Sequence, residues 1–207
     1  MILVEEKESK SAAECIKLGN DYRNGQGVEK DEDLALDWYQ KAAELGDGEA
    51  SLILGDMYNY YYRDGENHEM AFYWYQKSAD LDYAEGQQAV GYMYQHGLGV
   101  EQDDENAVYW YRKAADQGHA NAQFNLGFMY ETGRSVDLDF YTAICWYRKA
   151  ADSGHANAQF NLGFMCETGR GVEQDFYLAA YWYRQAVALG NEYAHKRISE
   201  MYAEGKL

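Results

Sequence analysis

The sequence predicts an all-α solenoid of helix–turn–helix repeats, and three observations carry that prediction. Five tryptophans, Trp38, Trp74, Trp110, Trp146 and Trp182, fall 36 residues apart. A Leu-Gly pair keeps the same register at Leu18-Gly19, Leu54-Gly55, Leu126-Gly127 and Leu162-Gly163, with Val90-Gly91 in the remaining slot. Proline is absent from all 207 residues, as suits a chain built mostly of helices. A fixed period of this length is the mark of stacked supersecondary units, each of which buries its apolar face only against its neighbours. No insertion disturbs the register from residue 12 to 191. The units are therefore 12–47, 48–83, 84–119, 120–155 and 156–191, after an N-terminal segment 1–11 and before a capping helix in 192–207.

Each unit reads as two helices. Helix A of the first unit is expected over 12–24, with Leu18, Gly19 and Tyr22 on its packing side. Glycine inside a helix costs about 1 kcal/mol relative to alanine. Its return at Gly19 and its equivalents points to a steric need, the close approach of a neighbouring helix. The loop follows as Gly25-Gln26-Gly27-Val28, Gly97-Leu98-Gly99-Val100 and Gly169-Arg170-Gly171-Val172. No strand precedes these glycines and no Gly-Lys-Ser/Thr follows, so they read as turns rather than phosphate loops.

Helix B of the first unit is expected over 32–45. Ala35, Trp38, Tyr39 and Ala42 follow the i, i+3, i+4, i+7 spacing of one buried face, repeated as Ala107, Trp110, Tyr111 and Ala114. Asp31, Asn67, Asp103, Asp139 and Asp175 precede it and serve as N-caps, because their side-chain oxygens accept orphan backbone N–H groups. Gly46, Gly118, Gly154 and Gly190 close it as C′ residues, with Asp82 the exception.

The motifs Leu-Gly-x-x-Tyr, Gly-x-Gly-Val, Ala-x-x-Trp-Tyr-x-Lys-Ala-Ala and the closing glycine resemble the Sel-1-like repeat, a relative of the tetratricopeptide repeat with a longer inter-helix loop. The match is best from Asn121 to Gly154 and covers 12–207. The resemblance implies a right-handed superhelix, helix A lining its concave side, and an adaptor role in signalling, secretion, host interaction or toxin neutralisation. One cysteine-rich branch of that family is associated with β-lactam binding. The paired cysteines of that branch are missing here.

The formal charge is −17, from 35 Asp+Glu against 18 Lys+Arg. Such a surface repels phosphate backbones, which argues against nucleic acid. It serves solubility, and it would also steer a basic protein partner. Cys15, Cys145 and Cys166 sit at three different repeat positions, as expected of reduced packing residues rather than a disulfide framework. No apolar run reaches membrane-spanning length. The N-terminal apolar stretch is too short for a signal peptide, so the expectation is a cytoplasmic protein. None of the five histidines pairs at i, i+3 or i+4, and no nucleophile motif appears. Neither a catalytic site nor a cofactor or metal is expected.

A protein or peptide is the expected partner, held on the helix-A stripe opposite Leu18 and Tyr22. Its candidate residues are Tyr92, Asn125, Phe128, Asn161 and Phe164, aromatics beside amides as in peptide-binding grooves. Packing of Phe128 and Phe164 on the next helix A is the competing reading. A second candidate is the loop of unit two, where Tyr60-Tyr61-Tyr62-Arg63 replaces the glycine turn. Tyrosine and arginine favour binding hot spots, while local repacking accounts for them equally. The function expected is a non-enzymatic scaffold. An immunity or inhibitor protein that neutralises a toxin or effector is the alternative, and a small-molecule enzyme comes third.

Overall fold

The computed structural model describes residues 10–61 and 67–207. Among them are eleven α-helices and no strand: α1 (Ala12–Asn24), α2 (Glu32–Glu44), α3 (Gly48–Tyr61), α4 (His68–Asp80), α5 (Ala84–His96), α6 (Asp104–Asp116), α7 (Ala120–Thr132), α8 (Phe140–Asp152), α9 (Ala156–Thr168), α10 (Phe176–Ala188) and α11 (Glu192–Ala203). Odd-numbered helices are the A helices, even-numbered the B helices.

Caps set the boundaries. Asp31, Asp103, Asp139 and Asp175 each accept a backbone N–H three residues on, at 2.9–3.1 Å. Asn67 makes no such bond, because its backbone lies outside the extended conformation its equivalents adopt. The caps of the A helices vary in residue type, and Tyr83 before α5 makes no side-chain cap bond. Ser11 forms a reciprocal capping box with Glu14, Asp47 accepts from Ala50, and Asn191 accepts from Ala194. His119 and His155 accept through Nδ1 from Ala122 and Ala158 at 3.3 and 3.1 Å. In units one, three, four and five the loop leaves helix A through a left-handed glycine, Gly25, Gly97, Gly133 or Gly169. It is closed by a backbone bond from the cap residue of helix B, as in Asp139 N–H to Tyr130 O at 3.0 Å.

The helix-A glycine meets the tyrosine of helix B in its own hairpin. A β-carbon on Gly19, Gly55, Gly127 or Gly163 would stand 2.6, 2.4, 2.7 or 2.6 Å from the ring of Tyr39, Tyr75, Tyr147 or Tyr183. The expected close approach is thus helix A to helix B within one repeat. Tyr39, Tyr111, Tyr147 and Tyr183 are fully buried. Trp38 and Trp146, expected on the same face, are only half-buried, whereas Trp74, Trp110 and Trp182 at the same position are buried.

The described residues of Met1–Met93 with Gly97–Glu101 form one compact unit, and Tyr94–His96 with Gln102–Leu207 form another. In the first, α1 pairs with α2 and α3 with α4, and α2 packs on α3. Its core gathers Cys15, Ala35, Tyr39, Ala42, Leu54, Met57 and Trp74. In the second, α6 packs on α7, the hairpins α7–α8 and α9–α10 stack on each other, and α11 covers α10. Its core contains Tyr147, Leu162, Met165, Cys166, Trp182, Tyr183 and Met201. Cys15 and Cys166 are buried, as packing residues should be. Cys145 is exposed, because its position on helix B faces outward, as the exposed Tyr109 and Tyr181 do at the equivalent positions.

Candidate functional site

The buried tyrosine of helix B brings a hydroxyl to the helix-A surface, and that hydroxyl needs an acceptor. In the first two repeats the acceptor comes from the middle of helix A: Tyr39 donates to Asn20 Oδ1 and Tyr75 to Asp56 Oδ1, both at 2.8 Å. In the later repeats that position is aromatic, as Tyr92, Phe128 and Phe164. The acceptor then moves three residues on. Tyr111 donates to Gln95 Oε1 at 2.6 Å, Tyr147 to Glu131 Oε2 at 2.6 Å, and Tyr183 to Glu167 Oε2 at 3.0 Å. Aromatic side chains and a polar ladder therefore share one face of the A helices. Burial, reinforced by the adjacent carboxylate, raises the Tyr147 and Tyr183 phenols above the usual tyrosine range.

Glu167 is the most enclosed member of the ladder, with its side chain 3% exposed. Arg197 Nε donates to its Oε2 at 2.8 Å. Arg197 Nη2 and Lys206 Nζ donate to its Oε1, the latter at 3.1 Å. Burial works against the charge of Glu167, but the bonds from Arg197, Lys206 and Tyr183 outweigh it and hold its carboxyl below the usual glutamate range. In the preceding repeat Asn161 stands where Arg197 stands.

The candidate binding residues are placed unevenly. Phe128 on α7 is 36% exposed, and Asn125, one turn earlier, is half-buried. On α9, Asn161 and Phe164 are both half-buried, and Phe164 packs against the second unit's core. The Arg170 guanidinium carbon lies 5.3 Å from the centre of the Phe164 ring. These four residues lie on the A helices of the second unit. Tyr92 on α5 is exposed and belongs to the first unit, as does Tyr60, 73% exposed near the end of α3. Tyr61 closes α3. The other loop candidates, Tyr62 and Arg63, lie outside the described residues.

Two features escaped the sequence reading. The first is a repeating latch between neighbouring repeats, 30 residues apart in sequence. Arg134 donates to both oxygens of Asp104 at 2.8 and 3.1 Å. At equivalent positions Arg170 lies 5.9 Å from the centre of the Phe140 ring and Lys206 5.3 Å from that of Phe176. The period is visible in the sequence, but a pairing offset of 30 within a period of 36 emerges only from stacking. The second feature is on the outer side of the B helices, where Tyr109, Tyr141, Tyr177 and Tyr181 are exposed. In the first unit a groove of about 430 Å³ on this side is lined by Gln40, Glu44, Met70, Tyr73, Trp74 and Lys77. Among the described residues no group of three or more His, Cys, Asp or Glu is placed to hold a metal ion. No helix among them is long and apolar enough to cross a membrane.

Comparison with known proteins places this geometry. The family model described as Sel1 repeat matches residues 15–47, 48–83, 84–119, 120–155 and 156–191. No curated protein matches. Among solved structures, a Sel1 repeat protein from Oxalobacter formigenes is 32% identical, with a TM-score of 0.85 over 98% of this chain and 81% of that one. A protective antigen of uropathogenic Escherichia coli displaying an SLR fold is 34% identical, also with a TM-score of 0.85. The match covers 94% of this chain but 42% of that antigen's length. An immunity protein from Pseudomonas aeruginosa is 24% identical, with a TM-score of 0.56 over 86% of this chain and 68% of its own, and shares the fold.

Proposed function

We propose, because the chain belongs to the Sel1 repeat family and Sel1 repeat proteins generally mediate protein–protein interaction, that it is a non-enzymatic scaffold whose helix-A surface holds a segment of a partner protein. The observation that carries this reading is the aromatic substitution in the polar ladder. Phe128 takes a helix position that serves a hydroxyl in the first repeats, and it remains 36% exposed although the tyrosine beneath it has found another acceptor. An exposed ring beside half-buried amides offers apolar area and backbone hydrogen-bonding groups together. The net charge of −17 favours a basic partner and would speed its approach. Three unpaired cysteines suit a reducing compartment such as the cytoplasm.

The test is affinity capture with three baits: wild type, Phe128→Ala and, as a control on the outer side of helix B, Tyr177→Ala. A partner that is retained by wild type and Tyr177→Ala and lost from Phe128→Ala supports the helix-A surface. The opposite pattern moves the site to the outer tyrosines. A second reading, an immunity protein masking a basic toxin, draws on the same charge. It predicts that the captured protein is toxic when expressed alone and harmless when co-expressed with this chain.

A further inference from the structure

We propose that Glu131, with the Tyr147 hydroxyl beside it, is a receptor for an arginine side chain of the protein partner. This inference rests on the helix-A reading above and names the chemistry of one contact. The argument comes from two nearly identical repeats. Residues 118–134 and 154–170 differ only at Tyr130 versus Cys166, so Glu131 and Glu167 stand on the same framework. Each accepts the hydroxyl of its buried tyrosine. In the last repeat the chain itself supplies a guanidinium to that carboxylate. Arg197, in the middle of the next A helix, α11, reaches both oxygens of Glu167.

For Glu131 of the fourth repeat, the equivalent residue on the next A helix, α9, is Asn161. An asparagine side chain ends several bonds short of an arginine, so the chain supplies no guanidinium here. Among the described residues no lysine or arginine pairs with Glu131. Arg170, the counterpart of Lys206, lies instead over the Phe140 and Phe164 rings. Glu131 is half-buried where Glu167 is enclosed. A carboxylate offers about four lone-pair sites, and the Tyr147 hydroxyl takes one. The planar fork of arginine matches what is left better than the point charge of lysine. Phe128, one turn earlier on α7, supplies exposed apolar surface for the stem of such a side chain.

The experiment is a titration of the protein with N-acetyl-arginine-amide, followed by amide chemical shifts. Saturable shifts are expected around Glu131 and Phe128. The uncharged isostere N-acetyl-citrulline-amide should give none. Glu131→Gln should weaken the binding at least tenfold and leave the fold intact, since Gln95 already accepts the Tyr111 hydroxyl at this position. Asn161→Arg should close the receptor from within, as Arg197 closes the last repeat, abolishing the titration and raising the unfolding temperature. Shifts spread evenly over the acidic surface, or unchanged in both variants, would overturn the proposal. An arginine site at Glu131 together with a partner footprint elsewhere would refute the helix-A reading alone. A footprint on α7 and α9 with no arginine site would refute the receptor alone.

Discussion

A β-carbon added to Gly127 would stand 2.7 Å from Cδ1 of Tyr147, closer than such atoms pack. The ring has no room to yield, since Tyr147 is fully buried and its hydroxyl is bonded to Glu131. Gly127→Ala therefore sets a gain of about 1 kcal/mol in helix propensity against an overpacking cost of about 1–3 kcal/mol. A net loss of stability is expected in urea unfolding. A more stable variant would show that the hairpin spacing is set by something other than this pair.

Trp110 is buried on α6 and meets Tyr109 edge-on at 5.1 Å between ring centres. Trp110→Ala should cost about 3–5 kcal/mol, the loss expected for emptying a buried aromatic site. Unfolding at the wild-type temperature would mean that helix B is packed through its alanines and tyrosine alone.

Arg197 and Glu167 define a pH-dependent lock at the C-terminal end of the second unit. Arg197→Ala removes the charge-assisted bonds to Glu167 while Lys206 and Tyr183 remain, so a loss of about 1.5–3 kcal/mol is expected at neutral pH. The Glu167 carboxyl is held below its usual range in the folded chain. Its contribution is thus complete above the unfolded glutamate value of about 4.3 and is lost as pH falls through the lower folded value. The stability gap between wild type and Arg197→Ala should narrow over that acid window. A gap that stays constant would separate the arginine's effect from the carboxylate's charge.

His155 caps α9 through Nδ1 and stacks on Phe124 with ring centres 4.6 Å apart. Burial lowers its pKa, so the folded chain favours the neutral ring that can accept the capping bond. Stability is therefore full above the unfolded histidine value of about 6.5 and declines as pH falls toward the lower folded value. His155→Asn keeps a capping oxygen, as Asn191 shows at the equivalent position, but removes the titration. Its denaturation midpoint should vary less with pH across this window than that of wild type. Parallel pH profiles would assign the acid sensitivity to other groups.

Much of the fold was legible because each boundary has a chemical signature. The aspartates at Asp31, Asp103, Asp139 and Asp175 mark the starts of the B helices, and the glycines from Gly46 to Gly190 mark their ends. The site was legible only in outline. Phe128 is as exposed as its helical phase implies, but Phe164 packs into the second unit's core, which a helical wheel of one helix cannot show. The ladder acceptors Gln95, Glu131 and Glu167 were passed over because their charge and amide groups look like an ordinary solvated face. Only the buried tyrosine opposite reveals their task. Their signal was present in the repeat alignment. Wherever the mid-helix position turns aromatic, the residue three places later is a long-chain acceptor.

The central claim, that a partner segment lies on the helix-A surface, is tested most directly by amide hydrogen exchange on the complex with the captured protein. Slowed exchange concentrated in α7 and α9, around Phe128, Glu131 and Asn161, is the predicted result. Protection confined to α8 and α10, around Tyr141, Tyr177 and Tyr181, with α7 and α9 exchanging as in the free protein, would contradict it.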